Sequence, residues 1–291
     1  MSNDRVLILG RAGQLGTELS RVYRDRGYEV VAFGRADVDV TDGPRVEELV
    51  MKYTPALVLN ATAYNMVDVA ERDVEGAFRG NALAVRNMAV ACRQTETKLV
   101  HFSTDYVFDG TKGSPYVEQD ATHPLGAYGV SKLAGESFAL AYLDDPLIIR
   151  TCGVFGLAGL NTGRGNFIET MLRLAKRPDP IRVVEDFVAS PTGAADLAAR
   201  TADLTVRKAW GVFHVGGGTV LSWYDFARLI FEEAGVQPEV RPTSHREYRT
   251  PARRPQFSAL SNGKMERLGI APMPPLRDAV RAYMAGRSVV S

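Results

Sequence analysis

A tyrosine and a lysine stand four residues apart in the segment AYGVSKLAGE, at positions 128 and 132. The segment is predicted to lie on a helix over about Ala127–Tyr142, and on a helix this spacing places both side chains on one face. A phenol has an ordinary pKa of about 10 and exchanges protons poorly at neutral pH, but a nearby ammonium group favours the phenolate and lowers that pKa. We therefore predict that Tyr128 donates a proton during carbonyl reduction and that Lys132 lowers its pKa. Taken alone, the pair is equally compatible with a surface contact.

A hydroxyl and a carboxyl group follow the apolar run KLVHFS, which predicts a buried strand ending near Thr104 and Asp105. In doubly wound sheets, ligands bind beyond the carboxyl ends of the strands. We predict that Thr104 is the third catalytic group, hydrogen-bonding the reacting oxygen, and that Asp105 is a polar substrate contact.

The segment GRAGQLG follows the first apolar run, RVLIL, and opens a predicted helix. Gly10 permits a tight turn, Gly13 lets the backbone approach a pyrophosphate, and Gly16 allows close packing of helix on strand. The helix N-terminus adds partial positive charge for phosphates. We predict a dinucleotide site that includes these glycines with Gln14 and Leu15; a turn required only for packing is the alternative.

The end of the second strand, AFGRADVDV, bears on the choice of cofactor. An acidic residue there suits the ribose hydroxyl of NAD, whereas an arginine accommodates the 2′-phosphate of NADP. Because Arg35 stands at this point, we predict NADPH, with NADH as a tolerated substitute. Asp39 and Val40 are predicted to lie beside the adenine. The alternative for Arg35 is a solvated surface charge.

Strand-like runs rich in Val, Ile and Leu alternate with helical patterns, which predicts an α/β doubly wound parallel sheet, the Rossmann architecture, with a smaller C-terminal substrate lobe. We assign residues 1–151 and about 191–214 to the dinucleotide-binding domain, and 152–190 and 215–291 to the lobe. A helix over 191–204 is predicted to begin with Thr192 as its N-cap. The stretch from Pro242 to Pro255 is predicted to be a loop.

The composition excludes several classes of protein. Of 291 residues, 45% are hydrophobic and 24% charged, and the net charge of +1 argues against a broad nucleic-acid or membrane surface. No apolar run is long enough to span a bilayer, and the N-terminus does not resemble a signal peptide. Cys92 and Cys152 lack metal-site spacing and predict buried thiols, and the four histidines are scattered, so we predict no metal. These features predict a cytoplasmic protein.

Seven segments in order, GRAGQLG, NATAYNMVDVAE, STDYVFDG, YGVSKLAGE, GNFIETMLRLA, SPTGAADLA and RTPARRPQFSAL, resemble the extended short-chain dehydrogenase/reductases. Within them the resemblance is strongest to the dTDP-4-dehydrorhamnose reductases. It implies NADPH-dependent reduction of the 4-keto group of a nucleotide-activated 6-deoxy sugar, most specifically dTDP-4-dehydro-L-rhamnose. It also implies a homodimer in some members, the Tyr128 and Thr104 roles given above, and a Lys132 that holds the nicotinamide ribose. Cofactor-lining residues carried over from the family are Ala61, Thr62, Ala63, Tyr64 and Asn65.

The sequence departs from the family after the fifth strand. Where the family commonly reads Arg-Thr-Ser-Trp-Val-Tyr-Gly, this chain reads RTCGVFG, which places Cys152 and Gly153 beside the substrate without an indole. We expect the loop LAGLNTGRGN, or another aromatic residue, to fill that space. Trp223 and Tyr224 are interpreted as core residues, with stacking on a thymine as the alternative.

Two further polar residues are predicted to contact the substrate. Asn166 is predicted in the sugar pocket, and Arg254 is predicted to pair with the diphosphate, with a solvated loop charge as its alternative. Asp68 and Glu71 are interpreted as structural.

Two other functions fit the same motifs. A sugar-nucleotide epimerase or dehydratase of the same superfamily recycles a bound NAD, and Arg35 in place of an acid argues against it. A non-catalytic NADP(H)-binding regulatory subunit, such as that of methionine adenosyltransferase, shares the fold and the glycine motif, so these features alone do not decide function.

Overall fold

Six parallel strands form the central sheet, in the order β2-β1-β3-β4-β5-β8. A computed structural model describes residues 4–161 and 165–290 of the chain. The strands read as continuous apolar runs because both faces of the sheet are covered by helices. The predicted α/β doubly wound sheet is confirmed. Its strands are β1 (Arg5–Leu9), β2 (Glu29–Phe33), β3 (Leu57–Asn60), β4 (Lys98–Thr104), β5 (Leu147–Thr151) and β8 (Gly211–His214).

The helices alternate with these strands along the first half of the chain. The α-helices are α1 (Gln14–Asp25), α2 (Gly43–Tyr53), α3 (Val67–Ala70), α4 (Val74–Phe78), α5 (Ala84–Gln94), α6 (Ala127–Tyr142), α7 (Phe167–Leu174), α8 (Ala194–Val206), α9 (Trp223–Glu233), α10 (Gly263–Glu266) and α11 (Leu276–Val290). A π-helical turn covers Arg79–Leu83, and 3-10 turns cover Asp105–Val107 and Leu157–Asn161.

Alternate side chains of the central strands supply two separate cores. Val6 and Ile8 of β1 pack with residues of α1 and α8 on one face of the sheet, whereas Leu7 and Leu9 pack with residues of α2 and α5 on the other. This division follows from the two-residue period of a strand, which sends successive side chains to opposite faces. The apolar residues of β1 are accordingly all fully buried.

A further core lies among elements that follow residue 151. Apolar side chains of α7, α9 and α11 form this cluster, including Ile168, Phe226 and Val280. Two small sheets accompany it: β6 (Ile181–Val184) pairs in parallel with β10 (Val240–Thr243), and β7 (Val188–Ala189) pairs antiparallel with β9 (Leu221–Ser222). Strand β10 corrects the expectation of a loop from Pro242, since Pro242 and Thr243 belong to this paired strand.

The start of helix α8 also differs from the prediction. Its N-cap is Gly193, which offers no side-chain hydrogen bond. The hydroxyl of Thr192 instead donates to the carbonyl oxygen of Ser190 at 3.0 Å and is buried there. The polar character of Thr192 therefore stabilises the turn before the helix and does not cap the helix itself. Helix α6, by contrast, has the predicted bounds.

Within residues 4–161 and 165–290, no helix combines the length and the apolar character needed to cross a bilayer.

Candidate active site

The carboxyl ends of strands β1, β3, β4 and β5 open on a cleft of about 860 Å³. This is the edge of the sheet where doubly wound proteins bind ligands. Most of the residues predicted for the site meet there. Those that line the cleft are Gly10, Gly13, Gln14, Leu15, Arg35, Asp39, Val40, Ala61, Thr62, Ala63, Tyr64, Asn65, Thr104, Asp105, Tyr128, Lys132, Cys152 and Gly153.

The glycine turn after β1 is shaped by close backbone contacts. Gly10 has a φ of 96°, and a Cβ there would lie 2.9 Å from the carbonyl carbon of Ala61. A Cβ on Gly16 would lie only 2.1 Å from the carbonyl oxygen of Gly10. Gly16 is buried under the turn and lies outside the cleft lining. The predicted packing role of Gly16 is confirmed. The prediction that Gly16 itself contacts a cofactor is corrected, because the residue is buried beneath the turn.

The N-terminus of helix α1 is open to an anion. Its N-cap, Gly13, makes no side-chain capping bond, and its first turn carries no acidic residue. The first backbone N–H groups of a helix have no partner within the helix, and its dipole is positive at this end. Because Gln14 and Leu15 of this turn line the cleft, the arrangement fits the diphosphate of a dinucleotide.

The carboxylates that follow β2 are engaged within their own loop. Asp37 accepts a hydrogen bond from the backbone N–H of Gly34 at 2.7 Å and pairs with Arg11 at 3.1 Å. Asp39 accepts hydrogen bonds from the N–H and hydroxyl of Thr41, which together lower the pKa of that carboxyl. Arg35 is exposed on the cleft wall. A guanidinium group in this place suits a 2′-phosphate.

A second arginine on the cleft was missed by the sequence analysis. Arg79, in the π-helical turn after α4, lines the cleft and lies close enough to contribute, like Arg35, to lowering the pKa of Asp39. Its side chain is 61% exposed. No sequence motif indicates Arg79, because its place on the cleft depends on the π-helical turn that follows α4.

Tyr128 and Thr104 meet at the reaction end of the cleft. Tyr128 is the second residue of α6, and its phenol lies close enough to Thr104 for the Thr104 side chain to affect the pKa of Tyr128. The Thr104 hydroxyl donates to Asp105 Oδ1 at 3.0 Å and accepts from the backbone N–H of Tyr106 at 3.2 Å. These contacts orient Thr104 toward the phenol. A hydroxyl pair of this kind can hold one carbonyl oxygen between two donors.

Lys132 is turned away from Tyr128. Its Nζ donates to the carbonyl oxygen of Phe102 at 2.6 Å and lies 3.5 Å from His101 Nε2. Burial lowers the pKa of Lys132 to about 8, although the charge of Glu136 opposes this shift. The ammonium is therefore held by the strand backbone at the wall of the cleft.

The prediction that Lys132 lowers the pKa of Tyr128 is wrong for this structure. Burial raises the pKa of Tyr128 to about 12, and the neighbouring Thr104 side chain offsets only part of that rise. Desolvation of the phenolate outweighs a cation whose hydrogen bonds go elsewhere. A phenol with a raised pKa stays protonated at neutral pH, which is the form required of a proton donor.

Three buried polar atoms at the strand ends lack hydrogen-bond partners in the described parts of the chain: Ser103 Oγ, Asp105 Oδ2 and Thr151 Oγ1. All three residues line the cleft. Burial raises the pKa of Asp105, and the neighbouring Ser258 and Cys152 side chains partly offset the rise. Because buried polar atoms are nearly always paired, three unpaired ones on one wall indicate a polar ligand. Ser103 and Thr151 were not predicted, although each adjoins a predicted residue.

Comparison with known proteins identifies the family of this chain. Residues 4–288 match the family model described as the RmlD substrate binding domain. The chain belongs to this family. A dTDP-4-dehydrorhamnose reductase of Aggregatibacter actinomycetemcomitans is 38% identical over 92% of this chain and 94% of its own length. A dTDP-4-keto-6-deoxy-D-glucose reductase of Streptomyces niveus is 37% identical over 93% of each chain.

A solved member of the RmlD family has the same fold. The dTDP-4-dehydrorhamnose reductase of Bacillus anthracis, in complex with NADP, is 33% identical to this chain and superposes with a TM-score of 0.91. The match covers 97% of this chain and 99% of that one. The resemblance predicted from the motifs is thereby confirmed.

Asn166 does not reach the cleft. It caps helix α7 by accepting a hydrogen bond from the N–H of Glu169 at 3.1 Å, while its Nδ2 donates to Gln14 Oε1 at 2.8 Å and to the hydroxyl of Tyr283 at 3.2 Å. Asn166 is absent from the cleft lining. The predicted contact of Asn166 with the sugar is therefore corrected. The hydrogen bonds of its side chain connect α7 to α1 and α11.

Arg254 is also engaged elsewhere. Its guanidinium forms a two-pronged contact with the Asp68 carboxylate, at 3.0 and 2.8 Å. The pair lies outside the cleft lining, so the predicted diphosphate contact is not formed. The structural interpretation of Asp68 and Glu71 is confirmed: Glu71 Oε1 accepts a hydrogen bond from the N–H of Ala127, the first residue of α6, at 2.8 Å.

The space beside Gly153 is occupied by an aromatic side chain from helix α9. Trp223 lines the cleft there. Within the loop LAGLNTGRGN, residues Leu157–Asn161 form a 3-10 turn outside the cleft lining, whereas Thr162, Gly163 and Arg164 lie outside the described residues. Of the two expected ways to fill the space, the structure shows the second.

Proposed function

We propose that this protein reduces the 4-keto group of dTDP-4-dehydro-L-rhamnose with NADPH and forms dTDP-L-rhamnose. The observation that carries the proposal is that the neighbouring Thr104 and Tyr128 side chains line the same cleft as the glycine turn and Arg35. This arrangement places a proton donor in the same cleft as the residues that would bind a dinucleotide. Relatives of nearly the same length are reductases of dTDP-4-keto sugars.

Each residue of the cleft has a distinct part in the proposed reaction. NADPH, when bound, supplies the hydride for the reduction. The turn at Gly10 and Gly13 and the N-terminus of α1 hold the diphosphate, and Arg35 binds the 2′-phosphate. Lys132 donates to the nicotinamide ribose. Residues Ala61, Thr62, Ala63, Tyr64 and Asn65 line the dinucleotide.

Proton transfer is assigned to Tyr128. Its O–H donates to the sugar O4 as negative charge develops there, and the Thr104 hydroxyl holds the same oxygen. The raised pKa of Tyr128 keeps the proton on the phenol until the oxygen becomes basic. Asp105, with its unpaired Oδ2, accepts a hydrogen bond from a sugar hydroxyl.

The decisive experiment follows the loss of NADPH absorbance with dTDP-4-dehydro-L-rhamnose as substrate. Wild-type protein is expected to oxidise NADPH and release dTDP-L-rhamnose, while Tyr128→Phe is expected to lose at least about 100-fold in turnover. Tyr142→Phe is the matched control, since Tyr142 ends the same helix and its hydroxyl accepts from Arg86 outside the cleft. Unchanged turnover in Tyr128→Phe would remove the mechanism.

The same assay separates the other functions. An epimerase or dehydratase would carry tightly bound NAD and consume no NADPH. A regulatory subunit would bind NADPH without turnover of any keto sugar. The 37% identity to the Streptomyces niveus reductase makes dTDP-4-keto-6-deoxy-D-glucose the second substrate to test. Both substrates are to be assayed with NADPH and with NADH.

Three broader expectations are retained as parts of the proposal. The protein acts in the cytoplasm. It forms a homodimer, which sedimentation analysis of the purified protein tests. The dinucleotide-binding domain comprises 1–151 with about 191–214, and the substrate lobe comprises 152–190 and 215–291; limited proteolysis with and without NADPH tests this division.

A further inference from the structure

We propose that Trp223 is the residue on which the hexose ring of the substrate packs, and that Gly153 exists to admit its indole. This inference rests on the proposed function and deepens it by naming a specificity-determining residue. Trp223 belongs to helix α9, seventy positions after Gly153 in the sequence. Its role is therefore a property of the tertiary structure.

The backbone of Trp223 is held firmly at the edge of the cleft. Its N–H donates to the carbonyl oxygen of Phe187 at 3.1 Å, and the preceding Ser222 caps helix α9 by accepting from the N–H of Asp225 at 3.0 Å. Trp223 is thus the first residue of a capped helix. An aromatic side chain at such a point has little freedom to leave the cleft wall.

The indole is buried on one side only. Its ring packs edge-on against Phe167, with centroids 4.7 Å apart, and obliquely against Phe226 at 5.9 Å. These contacts belong to the core of α7, α9 and α11. Trp223 nevertheless keeps intermediate exposure and lines the cleft. A purely structural core residue would not present part of its surface to the cavity.

Gly153 leaves the room that the indole needs. It has a φ of 50°, in the left-handed region, and a Cβ built there would lie 3.0 Å from Trp223 Cη2. That distance is shorter than ordinary van der Waals contact. Any larger side chain at position 153 would push the indole back, so the glycine and the tryptophan form a matched pair.

The location of Trp223 indicates that it contacts the sugar of the substrate and not the base. Gly153 follows Cys152, whose thiol lies close enough to Asp105 to lower its pKa and close enough to Tyr128 to raise its pKa. Trp223, which lies against Gly153, therefore belongs to the part of the cleft that holds the proton donor, where the ring bearing the keto group must lie. The nearby Thr151 Oγ1 and Asp105 Oδ2 are buried and unpaired. An apolar indole face beside unpaired polar atoms is complementary to a hexose, whose C–H groups and C6 methyl stack on an aromatic ring while its hydroxyls form hydrogen bonds.

Kinetics of Trp223 variants provide the first test. Trp223→Ala is expected to raise the KM for the sugar nucleotide about tenfold through loss of the ring contact, and to leave the KM for NADPH within about twofold. Trp223→Phe keeps an aromatic face and is expected to recover most of the loss. An unchanged KM for the sugar nucleotide in Trp223→Ala would overturn the proposal, as would equal losses for both substrates.

Fluorescence provides a test that does not depend on removing Trp223. The chain has two tryptophans, and Trp210 lies at the start of β8 beside Lys98, outside the cleft lining. In Trp210→Phe protein, all tryptophan emission comes from Trp223. Titration with dTDP-L-rhamnose in the presence of NADP⁺ is expected to change that emission, whereas dTDP alone is expected to change it far less. Equal responses to the two ligands would overturn the assignment to the sugar.

The two hypotheses fail in different ways. If wild-type protein turns over no dTDP-4-keto sugar, the proposed function fails, and the emission titration with a sugar nucleotide still reports on Trp223. If wild-type protein is active and both Trp223 tests are negative, the further inference alone fails.

Discussion

The Nζ of Lys132 lies 2.6 Å from the carbonyl oxygen of Phe102, a residue of the neighbouring strand and not of its own helix. The lysine thus anchors α6 to β4 at the point where the cleft wall begins. Its ammonium is buried, and burial lowers its pKa to about 8. The catalytic helix is therefore positioned by a charge that is costly to bury.

Lys132→Met is expected to remove activity without destabilising the protein at pH 7. The lowered pKa means that folding disfavours the ammonium below about pH 8, and that this cost is relieved as the pH rises from about 8 to the ordinary value of about 10.5. Methionine fills a similar volume without charge. Thermal unfolding at pH 7 should therefore give a Tm no lower than wild type, while NADPH oxidation is lost.

The pH dependence of unfolding checks the sign of this effect. Wild-type stability should gain a favourable contribution between about pH 8 and 10.5 that is missing in Lys132→Met. Parallel stability curves for the two proteins over this range would contradict the lowered pKa of Lys132.

Arg35→Ala is expected to weaken the binding of NADPH and to leave the binding of NADH unchanged. The guanidinium is exposed on the cleft and the nearby carboxylates are held by their own loop, so its loss should raise the KM for NADPH about tenfold. The ratio of kcat/KM for NADPH over NADH measures the change. Arg24→Ala, on the exposed face of α1, is the control. A ratio unchanged by Arg35→Ala would assign the 2′-phosphate to another group, Arg79 being the next to test.

Gly153→Ala is expected to lower both stability and affinity for the sugar nucleotide. The φ of 50° costs an alanine about 1 kcal/mol, and the new Cβ would also press on Trp223. Gly113→Ala is a matched control, because Gly113 has a φ of 70° with no atom within 4 Å of its Cβ position. Both variants should lose Tm, but only Gly153→Ala should raise the KM for the sugar nucleotide. Equal KM values for the sugar nucleotide in the two variants would show that Gly153 has no part in binding the substrate.

Histidine 214 makes the folded protein sensitive to acid. Burial, with the charge of Arg150, lowers the pKa of His214 to about 3, and its Nδ1 bonds the carbonyl oxygen of Tyr116 at 3.0 Å. Glu118, Asp120 and Lys264 are the other charged groups near it. The unfolded chain takes up this proton below the ordinary pKa of about 6.5, whereas the folded chain does not until about pH 3. Stability therefore falls as the pH falls through this window, by up to about 5 kcal/mol from His214.

His214→Asn should flatten that part of the curve. An asparagine Nδ2 can donate to the same carbonyl and does not titrate. Urea unfolding between pH 4 and about 7 measures the difference in slope. His123→Asn, at a side chain that is 78% exposed, is the control and should leave the slope unchanged. A His214→Asn curve parallel to wild type would show that the histidine is not the group responsible.

The fold and most of the residues that line the cleft could be predicted from the sequence, because they depend on local patterns. Apolar runs and glycine turns predicted the central sheet, and helix α6 has the predicted bounds. Gly10, Gly13 and Arg35 follow strands directly, so the parallel sheet brings them to one edge. Thr104 ends β4 at the same edge, and Tyr128, at the start of α6, lines the same cleft.

The remaining features depend on contacts between distant segments. Arg254 pairs with Asp68 across 186 positions, and Asn166 with Gln14 across 152, so neither engagement could be inferred from spacing. The direction of Lys132 is set by a backbone oxygen of β4, which no side-chain motif reports. Trp223 reaches Gly153 only because β7 and β9 pair and fix the start of α9.

Strand β8 completes the sheet, although it is made long after strand β5, its only neighbour in the order of the six strands. A ribosome-bound chain that stops short of Gly211 must leave the outer edge of β5 without its hydrogen-bonding partner. Exposed strand edges invite pairing with other chains. Synthesis of this enzyme therefore contains an interval in which the strands that end at Thr104 and Thr151 have emerged while their sheet is still open to aggregation, and binding of a chaperone during translation would protect it there.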